Sequence, residues 1–424
     1  MRILMCNSVH YVRGGVDRYY FDLSDLLSSH GHKVIPFAMQ HPRNQPTEYA
    51  RYFVSQVDFP SLLQQKTSLV AKLRVAERVI YSREARDKIE RILVDTRPDI
   101  VHVQEIDHEI SPSILPPIRK HGIPVVQTLH DYKMLCPNTN FFCRGQVCER
   151  CAGGAYYRAV LSKCKRNSRM ASLLACLETY YQHLSGIYRK NVDLFLVPGE
   201  FLHKKLVDSG FRARMVRLPA FVDIDRLQPV YEPSDYFVFF GRLVGLKGVR
   251  TLFEAMRLVH SSMHLYVAGE GELEEGLKQY AQEHGLSNIT FLGYLRAESL
   301  MPLVQRAAFA VFPSECYENY PSSIIESFAC GTPVIGSNMG GIPDIIQDGR
   351  SGLLFAPGNP QQLADRIQFL ADHPEKSAEM GQNARRQVET VNNPDYHYRQ
   401  IISNYERVLR EKSQPSRHSK RGMQ

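Results

Sequence analysis

A repeated alternation of short apolar runs and amphipathic segments constrains this sequence more than any other feature. Runs such as Arg2–Ser8, Lys33–Met39 and Tyr236–Phe240 predict buried strands, and the segments between such runs have helical spacing. Strands that alternate with helices form parallel sheets with helices on both faces. The alternation weakens over Asp223–Asp235, which contains Pro229 and Pro233, and then restarts. We therefore predict an α/β protein with two halves, each large enough for its own core.

The same pattern predicts the remaining elements. Further strands are predicted at Ile100–Gln104, Val125–Leu129, Leu194–Pro198, His264–Ala268, Ile289–Leu292, Phe309–Phe312, Val334–Gly336 and Leu353–Phe355. Helices are predicted at Asp17–His30, Ser111–His121, Glu200–Ser209, Gly248–Val259 and Glu272–His284. The predicted domains are residues 1–225 and 230–394, and the basic residues 412–424 are predicted to form a disordered tail.

Composition excludes several classes of protein. The chain of 424 residues is 43% hydrophobic and 23% charged, which is ordinary for a globular protein. No apolar run reaches the roughly 18 residues that span a bilayer, so we do not expect an integral membrane protein. A total of 52 Lys and Arg against 44 Asp and Glu leaves a net charge of +8, which favours anionic partners such as nucleotides, acidic lipids or nucleic acid. The N-terminal run resembles a strand rather than a secretory signal, and the nine cysteines then indicate a reducing cytoplasm.

The loop after the predicted strand Tyr236–Phe240 has the composition of an anion site. It reads GRLVGLKG and contains Arg242 and Lys247. In an open α/β sheet, ligands bind beyond the carboxyl ends of the strands. A guanidinium fork and an ammonium point charge suit two phosphate groups. We predict that Arg242 and Lys247 bind phosphate; the alternative is a solvated basic loop.

Two other glycine-rich turns follow predicted strands. Gly14-Gly15 lets a ligand approach the backbone at the N-terminus of a helix, where N–H groups point at an anion. The Ala268–Gly271 turn is similar, but it lacks the spaced third glycine of a dinucleotide fingerprint. Each also has the simpler interpretation of a tight structural turn.

Two glutamates, Glu318 and Glu326, follow the predicted strand Phe309–Phe312. Pro321 suits the first turn of a helix, which leaves Glu318 in the loop and Glu326 about one and a half turns along. A carboxylate can accept hydrogen bonds from two sugar hydroxyls, so the pair could hold a ribose and a second sugar. The alternative for Glu318 is a favourable interaction with the helix dipole, whereas Glu326, among apolar neighbours, would need a partner.

Other candidates lie in the first half of the chain. His130 ends the predicted strand Val125–Leu129, where it could donate a hydrogen bond to a sugar hydroxyl or phosphate, or be a satisfied buried imidazole. Five cysteines follow it: Cys136, Cys143, Cys148, Cys151 and Cys164. Cys148-x-x-Cys151 has metal-ligand spacing, but the other gaps are irregular, so structural zinc, free thiols and a redox pair all stay open.

Two basic segments suggest charged partners. Gln64–Leu93 is predicted to be a long basic helix with apolar Leu69, Leu73, Ala76 and Ile80 at helical spacing, so it either lies on an anionic membrane or packs on the core. A second basic segment, beside Tyr156 and Tyr157, suits an acidic surface or an anionic acceptor, or forms a solvated loop. Its basic residues are Arg158, Lys163, Lys165, Arg166 and Arg169.

In this order, these motifs resemble retaining glycosyltransferases of family 4, which have the GT-B fold. The similarity covers nearly the whole chain and is strongest over Tyr236–Pro357; Asn319 and Pro321 stand where glycine is frequent in the family. It implies two Rossmann-like domains around a cleft, with a nucleoside-diphosphate sugar bound by the second domain and a saccharide or lipid-linked acceptor held by the first. It also implies that the last helix, about residues 395–411, crosses back to the first domain.

The resemblance also implies roles for individual residues. Arg242 and Lys247 would bind the donor pyrophosphate, and Glu326 would accept the ribose hydroxyls. Glu318 and His130 would contact the transferred sugar as the catalytic pair. Two further donor contacts are implied, with Gly15 against the phosphate or the acceptor and the backbone at Tyr294-Leu295 beside the base.

Because we find no Asp-x-Asp motif at a strand end, we expect the two cations to replace a divalent metal, so that no cofactor is needed. The family retains anomeric configuration, which favours front-side attack with the leaving phosphate accepting the acceptor's proton.

An epimerase or inverting transferase on the same fold is the alternative among enzymes. A zinc-containing nucleic-acid-binding protein is the alternative from another class, although it leaves Glu318, Glu326, Arg242 and Lys247 unexplained. A non-catalytic sugar-binding protein would not need a phosphate clamp.

Overall fold

The fold is known from a computed structural model, which describes residues 1–57, 76–231 and 235–413. It contains two parallel six-stranded sheets, as predicted. The first has the order β2-β1-β3-β4-β7-β8, and the second has the order β11-β10-β9-β12-β13-β14. Among the described residues, no helix is long and apolar enough to span a membrane.

The described residues of the first half form eight strands. They are β1 (Arg2–Val9), β2 (Lys33–Met39), β3 (Ile100–Val103), β4 (Val125–Thr128), β5 (Phe142–Cys143), β6 (Gln146–Val147), β7 (Leu194–Val197) and β8 (Met215–Arg217). Its helices are α1 (Gly15–Ser29), α2 (Arg83–Thr96), α3 (Leu115–Lys120), α4 (Arg158–Leu161), α5 (Arg169–Ser185), α6 (Ile187–Asn191) and α7 (Glu200–Asp208). The short strands β5 and β6 form a separate antiparallel hairpin in the cysteine-rich segment.

The second half continues the alternation. Its strands are β9 (Tyr236–Phe240), β10 (His264–Ala268), β11 (Ile289–Gly293), β12 (Ala310–Phe312), β13 (Val334–Ser337) and β14 (Gly352–Phe355). Its helices are α8 (Val249–Met256), α9 (Glu274–Glu283), α10 (Ala297–Gln305), α11 (Ser322–Ala329), α12 (Pro360–Asp372) and α13 (Pro374–Val391), and the long α14 (Pro394–Ser413) follows them.

The central strands are apolar on both faces, as expected of a parallel sheet between helices. Successive side chains of a strand point to opposite faces. In β1, Leu4 therefore belongs to one core cluster, while Ile3 and Met5 belong to another. In β9, Phe239 and Phe240 divide in the same way between two clusters of the second half.

The last helix, α14, packs against the first sheet rather than the second. Its Ile401, Tyr405 and Val408 join the core cluster that contains Ile3 and Met5. The chain therefore returns to the first half, and side chains of α14 come to lie beneath the sheet that carries His130.

Two local predictions were wrong. The long basic helix is interrupted at Ser82, whose side chain caps α2 by accepting a hydrogen bond from Ala85 N; Leu69 and Leu73 lie outside the described residues. The helix predicted at Ser111–His121 is a 3₁₀ turn at Pro112–Ile114 followed by the short α3.

Smaller differences occur at two other helix ends. Pro321 is the N-cap of α11 rather than part of its first turn, so Glu326 is the fifth helical residue. Helix α14 includes Lys412 and Ser413, which were assigned to the disordered tail; the rest of that tail lies outside the described residues.

Candidate active site

The candidate site residues follow strands at the point in each sheet where the strand order reverses. In the first sheet β1 lies between β2 and β3, and in the second β9 lies between β10 and β12. Ligands of such sheets bind beyond the carboxyl ends of the strands at this switch point. Gly14-Gly15 follows β1, the Arg242–Gly248 loop follows β9, and the Pro313–Asn319 loop follows β12. Motifs that are far apart in the sequence therefore lie at the carboxyl ends of strands at the switch point of each sheet.

The loops after β9 and β12 are in direct contact. Gly248 has a φ of 65°, and a Cβ there would lie 1.8 Å from the carbonyl oxygen of Pro313. Glycine alone permits this approach. It allows the ammonium of Lys247 to reach Glu318, whose Oε1 lies 2.6 Å from Nζ. Arg242, on the same loop, is exposed to solvent.

The Glu318 carboxylate is anchored through one oxygen. Oε1 accepts hydrogen bonds from Lys247 Nζ at 2.6 Å and Ser314 Oγ at 2.8 Å, with Cys316 Sγ at 3.8 Å. Burial favours the neutral acid, but the charge of Lys247 and these hydrogen bonds outweigh it, so the pKa of Glu318 is lowered. The group is therefore an anion at neutral pH, with Oε2 outside these contacts.

The loop that carries Glu318 is held by the first half of the chain. Tyr132 donates its hydroxyl hydrogen to the carbonyl oxygen of Glu318 at 3.0 Å. Asn319 Nδ2 donates to the carbonyl oxygen of Leu129 at 2.9 Å, next to His130. Asn319, which differs from the common family residue, thus connects the two halves. The residue after Glu318 is thus bonded to the residue before His130.

A glycine pair supports this loop from the second half. Gly341 N donates to the carbonyl oxygen of Glu318 at 2.7 Å, and a Cβ at Gly341 would lie 1.7 Å from the carbonyl oxygen of Asn319. The sequence analysis missed this pair, although adjacent glycines after strand β13 are a usable signal of close backbone approach.

A second connection joins the cysteine-rich segment to the same loop. Glu149 Oε1 accepts hydrogen bonds from Lys205 Nζ at 2.6 Å and from the Tyr317 hydroxyl at 2.7 Å. Burial opposes ionisation, but Lys205 and Tyr317 prevail and lower the pKa of Glu149. These residues were also missed, because partners this far apart in sequence leave no local pattern.

Glu326 occupies the site differently. It lines a cavity of about 370 Å³ with Gly15, Arg18 and Ser322. Burial raises the pKa of Glu326, and the charge of Arg18 only partly opposes this. A Cβ at Gly15 would lie 3.5 Å from Ser322 Oγ, so the turn after β1 faces the start of α11.

Leu295 follows β11 and packs, partly buried, against the core cluster of the second half that also contains Ala268. The neighbouring Gly269–Gly271 turn has a structural role, because a Cβ at Gly269 would lie 1.9 Å from the carbonyl oxygen of Gly241. Leu243 N also donates to the carbonyl oxygen of Glu270 at 2.9 Å. This turn therefore shapes the loop that carries Arg242.

His130 is the cleft end of a buried hydrogen-bond chain. Its Nε2 lies 2.7 Å from Gln104 Oε1, and Gln104 Nε2 lies 3.2 Å from His102 Nε2. His102 Nδ1 in turn lies 2.6 Å from the hydroxyl of Tyr405 on α14. Burial lowers the pKa of His130 to about 4, so the imidazole is neutral at neutral pH. Since Gln104 Oε1 is an acceptor, Nε2 carries the proton and Nδ1 is left as an acceptor.

A second link from α14 reaches the same ring. Tyr19 packs edge-on against His130 with ring centroids 5.2 Å apart, and its hydroxyl lies 2.9 Å from His397 Nε2. His397 is buried, and burial lowers its pKa to about 4. The C-terminal helix therefore supports His130 on two sides.

The first-half side of the cleft is rich in carboxylates. Arg13 lies within 3.5 Å of Asp17, Glu105 and Glu109. Burial, followed by the charge of Asp107, raises the pKa of both Glu105 and Asp131. This side can accept several hydrogen bonds from the hydroxyls of a saccharide.

The cysteine-rich segment holds five unpaired thiols. Cys136, Cys143 and Cys151 are buried, and Cys148 and Cys164 are partly exposed. Within the described residues, no group of three or more His, Cys, Asp or Glu side chains is arranged to hold a metal ion. Transfer without a metal stays a prediction, since this observation does not test it.

Comparisons with known proteins match both halves. The family profile for "Glycosyltransferase Family 4" matches residues 13–226, which is half of the chain, and the profile "Glycosyl transferases group 1" matches residues 223–387. This chain belongs to glycosyltransferase family 4. It is therefore a glycosyltransferase, which decides against the nucleic-acid-binding alternative.

Relatives of this family member have varied substrates. A glycogen synthase of Mycobacterium tuberculosis is 25% identical over 405 residues, covering 92% of this chain and 90% of that protein. The O-antigen chain mannosyltransferase C of Escherichia coli is 30% identical over 182 residues, 42% of this chain and 48% of that protein.

Solved structures confirm the GT-B fold. Sucrose-phosphate synthase from Thermosynechococcus elongatus aligns with a TM-score of 0.71 at 19% identity, covering 97% of this chain and all of that one. HepE of Anabaena, in complex with UDP-glucose, aligns with a TM-score of 0.66 at 16% identity, covering 96% of this chain and 100% of that chain.

Proposed function

We propose that this family 4 enzyme is a retaining glycosyltransferase that moves a sugar from a UDP- or GDP-linked donor to a hydroxyl of a saccharide or lipid-linked saccharide. The product would be a cell-surface polysaccharide or glycoconjugate. The observation that carries the proposal is the meeting of Lys247 and Glu318 beyond β9 and β12, with Arg242 on the same loop as Lys247. The bond from Asn319 to Leu129 ties this loop to the end of β4, where His130 follows. The UDP-glucose bound to HepE supports the class of donor.

The two cations would hold the diphosphate. The Lys247 ammonium has three N–H donors, of which one serves Glu318, so it can also bind a phosphate oxygen. Arg242 is exposed beside it and offers a planar fork for a second phosphate. As the bond to the sugar breaks, negative charge gathers on the leaving diphosphate, and cations fixed in advance stabilise this charge.

The carboxylates of Glu326 and Glu318 would bind hydroxyls of the ribose and of the transferred sugar, respectively. Glu326 would accept the ribose hydroxyls in the cavity beside Gly15, with Leu295 next to the base. Glu318 would accept a hydroxyl of the transferred sugar through Oε2, because its known contacts fall on Oε1. His130 would accept a hydrogen bond from that sugar through Nδ1, which changes our sequence-based expectation that it donates.

Front-side attack accounts for retention without a covalent intermediate. In this step the acceptor oxygen bonds to the anomeric carbon on the face that the diphosphate leaves. The hydroxyl proton passes to a phosphate oxygen of the leaving group. The low pKa of Glu318 and its anchored Oε1 suit a fixed anion beside the developing positive charge of the sugar ring.

Thermal-shift screening with UDP, GDP, ADP and their sugars tests the donor. A ligand at 100 times its Kd stabilises the folded state by about 2.7 kcal/mol, which is readily measured. We expect stabilisation by UDP or GDP compounds and an α-linked product from an α-linked donor by NMR. An inverted product would identify the alternative inverting enzyme, and an epimerised donor without transfer would identify an epimerase. Full turnover in excess chelator is expected, and rescue by Mn²⁺ or Mg²⁺ alone would contradict the metal-free assignment.

A further inference from the structure

Exposed apolar side chains are concentrated in one segment of the first half. Of the thirteen large hydrophobic side chains exposed among the described residues, six lie between residues 157 and 184. They are Tyr157 (51% exposed), Leu161 (71%), Met170 (58%), Leu173 (39%), Leu177 (48%) and Leu184 (84%). Single exposed apolar residues are normal, but a group of them marks an interaction site. We call these six residues the apolar stripe.

The stripe follows from the geometry of helix α5. Residues 170, 173, 177 and 184 fall within about 60° of one another at 100° per residue, so they share one face. The opposite face is buried and includes Ala171, Ala175 and Glu178. The helix is fixed at both ends, because Ser168 caps its start and Gly186 ends it in the left-handed conformation. The outer apolar face is therefore a stable feature of the fold.

Exposed basic residues occur in the same segment as the stripe. Between residues 152 and 192 the sequence contains a single acidic residue, Glu178, which is fully buried. Six exposed basic residues lie in the same stretch, namely Arg158, Lys163, Arg166, Arg169, Arg189 and Lys190. Within the described part of the chain, none of the six forms a salt bridge with an acidic side chain. A segment that exposes both aliphatic groups and cations without acidic partners is complementary to a surface with an apolar interior and anionic headgroups.

We propose that the apolar stripe and these six cations dock the enzyme on an anionic phospholipid surface. The aliphatic side chains enter the boundary between headgroups and acyl chains, while the guanidinium and ammonium groups bind lipid phosphates. Single-stranded nucleic acid fits less well, because it is bound largely by stacking on aromatic groups, and Tyr157 is the one aromatic residue of the stripe. Duplexes are bound through their phosphates and would leave the aliphatic side chains without a partner.

Docking through α5 also orients the cleft. On the inner face of α5, Glu178 Oε2 lies 2.8 Å from Lys133 Nζ, and Lys133 follows Asp131 at the carboxylate-rich side of the cleft. The membrane would therefore lie about one helix diameter, roughly 10 Å, from that side. The saccharide of a lipid-linked acceptor would reach the cleft while its lipid stays in the bilayer. This consequence rests on the proposed function, whereas the docking proposal is independent of it.

Vesicle flotation tests the docking. The full chain is mixed with vesicles of phosphatidylcholine containing phosphatidylglycerol, or of phosphatidylcholine alone, at low and high salt. We expect flotation with the anionic vesicles, weakened by salt. Each Lys or Arg near an anionic surface contributes about fivefold in partitioning, so R166Q/R169Q should weaken binding by about 25-fold. L177E/L184E should abolish it.

Matched variants serve as controls. Leu258 is 40% exposed on the second half, so L258E adds an acidic group without touching the stripe. K120Q/R350Q removes the same charge from exposed sites elsewhere. We expect both controls to float like the wild type and all variants to keep their nucleotide thermal shift. Loss of that shift in every protein, with flotation intact, would refute the proposed function and leave the docking standing.

Three results would overturn the docking proposal. The first is absence of wild-type flotation with anionic vesicles, and the second is equal flotation of L177E/L184E and L258E. The third is a wild-type dimer in light scattering that L177E/L184E converts to a monomer, since the stripe would then be covered by a second copy. Nucleic acid is tested separately: wild-type binding to DNA of random sequence that is tighter than binding to the anionic vesicles would contradict lipid as the partner.

Discussion

The ion pair between Lys247 and Glu318 gives the sharpest prediction. Lys247→Ala removes the ammonium 2.6 Å from Glu318 Oε1 and leaves a carboxylate that is 17% exposed without its counter-charge. Two unit charges 4 Å apart attract by about 4 kcal/mol near a protein surface and about 1 kcal/mol in water. Because both side chains keep some solvent contact, we expect a loss of about 2 kcal/mol in the free energy of unfolding at pH 7.

The pH dependence of this loss has a definite sign. The folded pKa of Glu318 is lowered, so its stabilising contribution is complete above its unfolded pKa of about 4.3 and disappears as the pH falls through the folded value. In Lys247→Ala, burial acts unopposed by this cation and raises the pKa. The stability difference between variant and wild type should therefore be largest near pH 7 and shrink in acid.

A companion substitution separates stability from catalysis. Glu318→Gln is neutral and needs no counter-charge, so Lys247→Ala/Glu318→Gln should recover more than about 1 kcal/mol of the expected loss. Turnover should stay at least about 10²-fold below wild type in both, because the cation that stabilises the leaving diphosphate is missing. Urea unfolding and release of the nucleoside diphosphate measure the two effects.

Lys278→Ala is the matched control. Lys278 pairs with Glu274 and Glu275 on the exposed α9, where solvent screens the ion pairs, so its loss should leave stability nearly unchanged and turnover intact. Near-normal turnover of Lys247→Ala would refute the role of this lysine. A stability loss that Glu318→Gln does not rescue would refute the electrostatic reasoning.

Three further substitutions test the remaining site. Glu326→Gln should raise the free energy of unfolding slightly at pH 7, because the raised pKa of Glu326 means that its charge destabilises the folded state. The same substitution should weaken nucleotide binding about tenfold, as measured by calorimetry. Unchanged affinity would contradict the role of Glu326 in binding the ribose. Tyr405→Phe removes the hydroxyl that lies 2.6 Å from His102 Nδ1, in the hydrogen-bond chain that ends at His130. It should lower kcat more than it raises KM. Lost stability with unchanged kcat would mean that Tyr405 does not position His130. Gly15→Ala should reduce turnover while Gly14→Ala, which faces open space, should not; equal activities would remove Gly15 from the site.

The sequence predicted the buried strands well because parallel strands covered on both faces are continuous apolar runs. Tyr236–Phe240 and His264–Ala268 were predicted to the residue. The break at Ser82 was missed although its signal is local, since helical spacing continues across a capping serine. Helix ends are set by such caps more than by periodicity.

The site was predictable in part. Glycines and charged residues at strand ends identify Arg242, Lys247 and Glu318, because sheet topology brings strand ends together. The sequence does not predict that Lys247 pairs with Glu318, nor that Tyr405 supports His130. Lys247 and Glu318 are 71 positions apart in the sequence. Tyr405 acts on His130 through His102, from which it is 303 positions away. Both contacts depend on tertiary packing.

The central claim is that Arg242 and Lys247 grip a diphosphate. Calorimetry with a nucleoside diphosphate, the matching monophosphate and the nucleoside tests it most directly, using wild type, Arg242→Ala and Lys247→Ala. We predict that wild type binds the diphosphate far more tightly than the monophosphate and that each variant loses most of this preference. Equal affinity of wild type for the diphosphate and the nucleoside, or an undiminished preference in both variants, would contradict the account.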